Sequence, residues 1–203
     1  MKYIFLIILW VAWCAVHSGL ISLALTERLR KGYPNLFRYH RILYNLFAVA
    51  TLLPVLLYYY SLGGDPIIAW SGPWKTIPIM FGISSVILFV SGGRRYDFLQ
   101  FLGLRQLKNE NTCSVLTEDC SLDTRGILSI VRHPWYAGGM LIVWARPLDL
   151  SDLLTNLIIC GYLIVGAVLE ERKLKRQFGD QYTAYQRRVP MFFPIKRWLG
   201  NRM

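Results

Sequence analysis

Between Tyr3 and Leu25 the chain carries no Asp, Glu, Lys or Arg, and His17 is the one histidine in the run. As a helix that stretch rises about 34 Å, slightly more than the roughly 30 Å hydrocarbon layer of a bilayer. It also outlasts the 7 to 15 residue core of a signal peptide and lacks a small-x-small cleavage site, so it reads as a span. Two comparable runs follow, Ile42 to Leu62 and Trp74 to Ser91. Two shorter ones, Trp135 to Ala145 and Leu153 to Leu169, are separated only by Arg146 to Asp152. The expected fold is all-α: an integral-membrane helical bundle with five transmembrane helices, a tight hairpin between the fourth and fifth, and a cytoplasmic C-terminal helix. One membrane domain over 1–203 would comprise a three-helix part (1–91), a cytoplasmic loop (92–134), the hairpin (135–169) and a tail (170–203).

The net charge of +11 could suggest nucleic acid, but its distribution points to the bilayer. Lys and Arg number five in residues 26–41, six in 92–134 and nine in 170–203, against Lys2, Lys75 and Arg146 elsewhere. Basic residues concentrate in cytoplasmic loops, so the N-terminus is expected outside and the C-terminus in the cytoplasm. Attraction to anionic headgroups accounts for the surplus without a nucleic-acid partner. Four cysteines, Cys14, Cys113, Cys120 and Cys160, form no CxxC pair and have no histidine at ligand spacing. Free thiols and no metal are expected. Residues 105–125 are polar, lack a helical apolar stripe and read as a mobile loop.

Polar groups beside apolar runs are costly to keep, which makes two clusters informative. The first is Arg132-His133-Pro134-Trp135-Tyr136-Ala137-Gly138-Gly139, at the entry to the fourth run. Pro134 suits a first helical turn, which sets Arg132 and His133 beside unsatisfied N–H groups that attract anions. Gly138 and Gly139 leave room for a ligand or a neighbouring helix. Arg132 and His133 can equally be interfacial anchors. The second cluster, Glu170-Glu171, follows the fifth run, and antiparallel packing of the hairpin returns it to the level of Arg132 and His133. A solvated Glu171–Lys175 pair at i+4 is the alternative.

These residues carry a resemblance. Arg132-His133-Pro134-x-Tyr136-x-Gly138, followed by Glu170-Glu171-x-x-Leu174-x-x-x-Phe178-Gly179-x-x-Tyr182-x-x-Tyr185 and then Val189-Pro190 and Pro194, resembles the signature of the isoprenylcysteine carboxyl methyltransferase and phospholipid methyltransferase superfamily. The resemblance implies an integral-membrane methyltransferase that uses S-adenosylmethionine. It further implies that His133, Pro134, Trp135, Tyr136, Gly138 and Glu171 hold the cofactor, while Arg132 and Glu170 act catalytically. No G-x-G-x-x-G follows a strand pattern, which excludes the soluble doubly wound cofactor fold.

For the methyl acceptor, the isoprenylcysteine enzymes have an arginine one turn before the cofactor-binding glutamate, where this chain has Ala167. His17-Ser18, Tyr39-His40-Arg41-x-x-Tyr44-Asn45 and Trp144-x-x-Pro147 instead resemble the methanethiol S-methyltransferase and nitric-oxide-reduction accessory branches. The expected acceptor is a small thiol or lipophilic molecule, with His17, His40, Arg41, Tyr44 and Asn45 as candidate contacts. His17 can equally be a membrane-helix hydrogen bond. A phospholipid N-methyltransferase and a non-catalytic membrane accessory protein are the rival readings.

Overall fold

The computed structural model describes residues 1–108 and 121–194. Most of the expected mobile loop, with Cys113 and Cys120, lies outside the described residues, as does Ile195 onward in the tail. The described residues form α1 (Lys2–Leu20), α2 (Leu23–Gly32), α3 (Pro34–Phe37), α4 (His40–Ser61), α5 (Thr76–Gly93), α6 (Phe98–Leu102), α7 (Leu104–Lys108), α8 (Pro134–Val143) and α9 (Leu150–Arg188). Single 3-10 turns cover Gly72–Lys75 and Gly126–Ser129. Extended pairing among the described residues is limited to one bridge, between Ile68 and Leu148.

Four stretches are long and apolar enough to cross a membrane: α1, α4, Gly72–Gly93 and α9. Their flanks expose Ile8, Val11, Leu53, Leu57, Ile83 and Val86, an apolar surface that suits lipid and not water. The expected fourth span is shorter than the hairpin reading requires. Pro134 fixes the start of α8, and ten residues rise about 15 Å, half the hydrocarbon thickness.

The chain divides into two compact units, the first comprising Met1–Ala69, Phe98–Thr112 and Leu148–Ile159. There α1 and α4 run antiparallel: the Tyr58 hydroxyl donates to the Lys2 carbonyl, and Trp13 Nε1 donates to the Ala48 carbonyl at 3.2 Å. Leu6, Trp10, Val55 and Tyr59 are buried between them. Tyr59 turns inward and donates to Asp152. Asp149 and Asp152 cap α9 reciprocally. Asp149 Oδ1 accepts from the Asp152 amide at 2.8 Å, and Asp152 Oδ2 accepts from the Asp149 amide at 3.0 Å. Gly103, at φ +92°, lets the turn between α6 and α7 sit against α4; a Cβ there would lie 2.9 Å from Arg41 Cβ.

The second unit comprises Trp70–Asp97, Cys113–Pro147 and Cys160–Met203. Small residues bring α5 and α8 together, as in close-packed membrane helices. Ser85 Oγ donates to the Gly138 carbonyl at 2.9 Å, and Trp135 Nε1 donates to the Phe89 carbonyl at 3.1 Å. A Cβ on Gly92 would stand 2.6 Å from the Trp135 ring. Gly92→Ala is therefore expected to lower thermal stability by about 1–3 kcal/mol, the range for overpacking; an unchanged melting temperature would count against this contact. Gly139 faces Leu163 and Gly166 faces Tyr136, so α8 returns alongside α9. Gly179, at φ +53°, breaks the helical backbone of α9 and redirects its last residues.

Candidate active site

The second unit gathers the charged residues of both motifs into one knot. Arg132 Nε donates to Glu171 Oε1 at 2.7 Å, and His133 Nε2 lies 3.2 Å from the same oxygen. Gln186 Nε2 donates to Glu171 Oε2. Arg132 Nη1 donates to the Gln186 carbonyl at 3.0 Å and to the Val189 carbonyl. The Arg132 and His133 amides donate to the Pro190 and Met191 carbonyls, each at 3.0 Å. Glu171 thus pairs with Arg132 and His133 and not with Lys175, and the segment beyond Gln186 closes over the motif.

The two glutamates are not equivalent. The Glu171 side chain is 9% exposed, with both oxygens engaged inside the chain. The Glu170 side chain is 35% exposed, its Oε2 stands 3.7 Å from His133 Nδ1, and the Tyr136 hydroxyl lies in hydrogen-bonding reach. Glu170, with Tyr96, Asp123, His133, Leu174 and Tyr182, lines a cleft of about 40 Å³. Since Arg132 pairs with Glu171, and Arg95 and Arg125 pair with Asp123, the Glu170 carboxylate facing the cleft suits a cation.

Glu171 lies beyond the apolar stretch Leu153–Leu169. Burial works to raise its carboxyl, but hydrogen bonds from His133 and Arg132, with the charges of both, outweigh it and hold the group below its ordinary 4.5. A depressed carboxylate contributes stability above its unfolded value and loses it as pH falls through the folded value. The melting temperature should therefore drop below about pH 4.5, with a shallower acid limb in Glu171→Gln; parallel limbs in the two proteins would contradict this.

The other predicted site residues divide by role. Pro134 opens α8, and Trp135 and Gly138 are spent on the α5 contact, the second of the two uses foreseen for the glycine. The acceptor candidates all belong to the first unit. Tyr44 and His17 hydrogen-bond each other, Trp13 stacks on His17 at 4.8 Å, and His40 stacks on Tyr44 at 6.4 Å. Arg41 Nε and Asn45 Nδ2 each donate to the Phe101 carbonyl at 3.2 Å, so both satisfy the end of α6. Leu25, Leu29, Leu36, Leu43, His40 and Tyr44 help line a cavity of about 310 Å³.

The family model described as NnrU protein matches residues 5–198. The chain belongs to the NnrU protein family. Methanethiol S-methyltransferase 1 of Bradyrhizobium diazoefficiens is 34% identical to it over 102 residues, 50% of this chain and 35% of that protein. Methanethiol S-methyltransferase of Pseudomonas deceptionensis is 38% identical over 80 residues, 39% of this chain and 30% of that protein. Protein-S-isoprenylcysteine O-methyltransferase of Schizosaccharomyces pombe is 33% identical over 84 residues, 38% and 35% of the respective chains. The chain therefore spans about a third of the length of these curated relatives. No solved structure matches it. The superfamily and branch that the motifs suggested are both borne out.

Within this NnrU chain, sequence reasoning missed Gln186 and the carbonyls of Val189, Pro190 and Met191. Tyr182 and Tyr185 carried the available signal: a motif that continues past Gly179 implies that the chain there has a packing duty. Both rings are buried, and the Tyr185 hydroxyl donates to the Leu128 carbonyl at 2.6 Å. The Met191 carbonyl consequently sits against the His133 amide.

Proposed function

We propose that this protein is a membrane methyltransferase that uses S-adenosylmethionine to methylate a thiol. Its N-terminus lies outside and its C-terminus in the cytoplasm, which puts the knot of charged residues at the inner leaflet. The observation that carries the reading is the pairing of Arg132 and His133 with Glu171, which leaves Glu170 facing a tyrosine-lined cleft. The donor set fits the cofactor. Glu170 can accept its ammonium, tyrosine faces suit its sulfonium, and the first turn of α8 suits its carboxylate. The cleft is smaller than the cofactor's nucleoside, so binding must widen it.

S-adenosylmethionine supplies a methyl carbon activated by a sulfonium. The chain's own residues bind, orient and exclude water, which is where an in-line displacement gains most. Arg132, Glu171 and Gln186 hold His133 in place, and Glu170 with Tyr96 and Tyr136 meets the cation. On the acceptor side, the thiol first loses its proton to solvent, because the thiolate is the nucleophile. The sulfur's electron pair forms the new S–CH₃ bond. The broken bond's pair stays with the donor sulfur, leaving a neutral thioether.

The accessory reading has one observation in its favour, namely that Arg132 and Glu171 already satisfy each other within the chain. Calorimetry with S-adenosylmethionine and its demethylated product separates the two readings, since an accessory protein gives no heat. Labelled cofactor with a panel of thiols, prenylcysteines and phospholipids then identifies the acceptor class. Label confined to phospholipid amines would replace the thiol reading with the N-methyltransferase one.

A further inference from the structure

In the first unit the end of α1 and the start of α4 are joined by α2 and α3, and these elements enclose an apolar groove of about 310 Å³. The ten residues of α2 rise only about 15 Å. With Glu27, Arg28, Arg30 and Lys31 exposed, that helix suits a membrane surface and does not cross. Leu25 and Leu29, one turn apart on it, face the groove. Leu36 and Leu43 also line the groove yet remain 61% and 57% exposed, so it is open on one side. An open apolar groove at the ends of two spans suits hydrocarbon.

The rim of the groove is basic. Residues 23–41 hold Arg28, Arg30, Lys31, Arg38 and Arg41 against Glu27 alone. The Arg41 guanidinium lies over the ring of Tyr44, a groove wall, at 5.8 Å, and Arg38 directly follows Phe37, another wall residue. We propose that the groove takes an acyl chain of an anionic phospholipid, with the phosphate against the basic residues of α2 and of the turn between α3 and α4. The apolar walls alone would accept a chain from any lipid; the cations decide between heads. A zwitterionic head brings an ammonium to a surface that repels it, whereas an anionic head brings none. Each basic residue near an anionic headgroup strengthens attachment about fivefold. Occupancy needs nothing from the second unit, so this inference stands or falls apart from methyl transfer.

The test uses the full chain in nanodiscs of equal parts phosphatidylglycerol and phosphatidylcholine, with the lipid retained on release identified by native mass spectrometry. Phosphatidylglycerol should be retained over phosphatidylcholine by about tenfold or more, since several rim residues act together. Arg28→Gln, Arg30→Gln and Lys31→Gln combined should bring the two lipids within about threefold of each other. Removing the same charge from exposed positions of α9, by Arg172→Gln, Lys175→Gln and Arg176→Gln, should leave the wild-type ratio. Such surface changes leave the fold intact. Leu29→Trp and Leu36→Trp fill the groove and should remove the retained lipid whatever its head. Glycerol 3-phosphate, a head without chains, should not displace it. Equal retention of the two lipids, an equal fall in the α9 variant, or lipid still held by both tryptophan variants overturns the inference. Displacement by glycerol 3-phosphate would assign the cations to a soluble phosphate and overturn it as well.

Discussion

Glu171→Gln should destabilise the protein by about 3–5 kcal/mol, because it removes one partner of a buried ion pair and leaves the Arg132 charge uncompensated. The amide cannot substitute. Its nitrogen would meet either the Gln186 amide donor or the Arg132 and His133 donors, all of which need an acceptor. Motif reasoning alone expects this variant to stay folded and lose only activity; burial of the whole pair argues otherwise. Thermal unfolding in nanodiscs tests the point. A melting temperature within 1 °C of wild type, accompanied by lost cofactor affinity, would show that Glu171 and not Glu170 meets the ligand.

Glu170→Gln should do the reverse. Its carboxylate is more than a third exposed and carries little of the fold, so thermal stability should stay near wild type. Loss of a charge-assisted contact to the cofactor's ammonium costs about 1.5–3 kcal/mol, equivalent to roughly 10- to 150-fold in affinity. Titration with S-adenosylmethionine reads that loss directly, and unchanged affinity would remove Glu170 from the proposed site.

The sequence was most informative where one physical term dominates. Apolar length alone located α1, α4 and α5, because lipid leaves the backbone few alternatives. The order of the spaced motif located the knot, since Arg132, His133, Glu170 and Glu171 work only if brought together. It was least informative where a side chain could satisfy either a ligand or the protein itself. Arg41 and Asn45 are acceptor candidates through their place in a motif that resembles the methanethiol branch, and the sequence does not reveal that both also serve the Phe101 carbonyl at the end of α6. Trp135 and Gly138 sit inside the motif but are used to seat α8 on α5. Gln186 has no distinguishing spacing; its role follows from the break at Gly179, which a lone glycine does not reveal.

That break has a bearing on synthesis. The carbonyls and amide that steady Arg132, His133 and Glu171 come from Gln186, Val189, Pro190 and Met191, all downstream of Gly179. Without Gln186 and the residues after it, the Arg132 guanidinium and the Glu171 carboxylate keep each other and His133 but lose the other partners described above. Completion of the charged knot thus waits until the segment after Gly179 has been made, and a chain cut short at that break would keep its apolar helices without it.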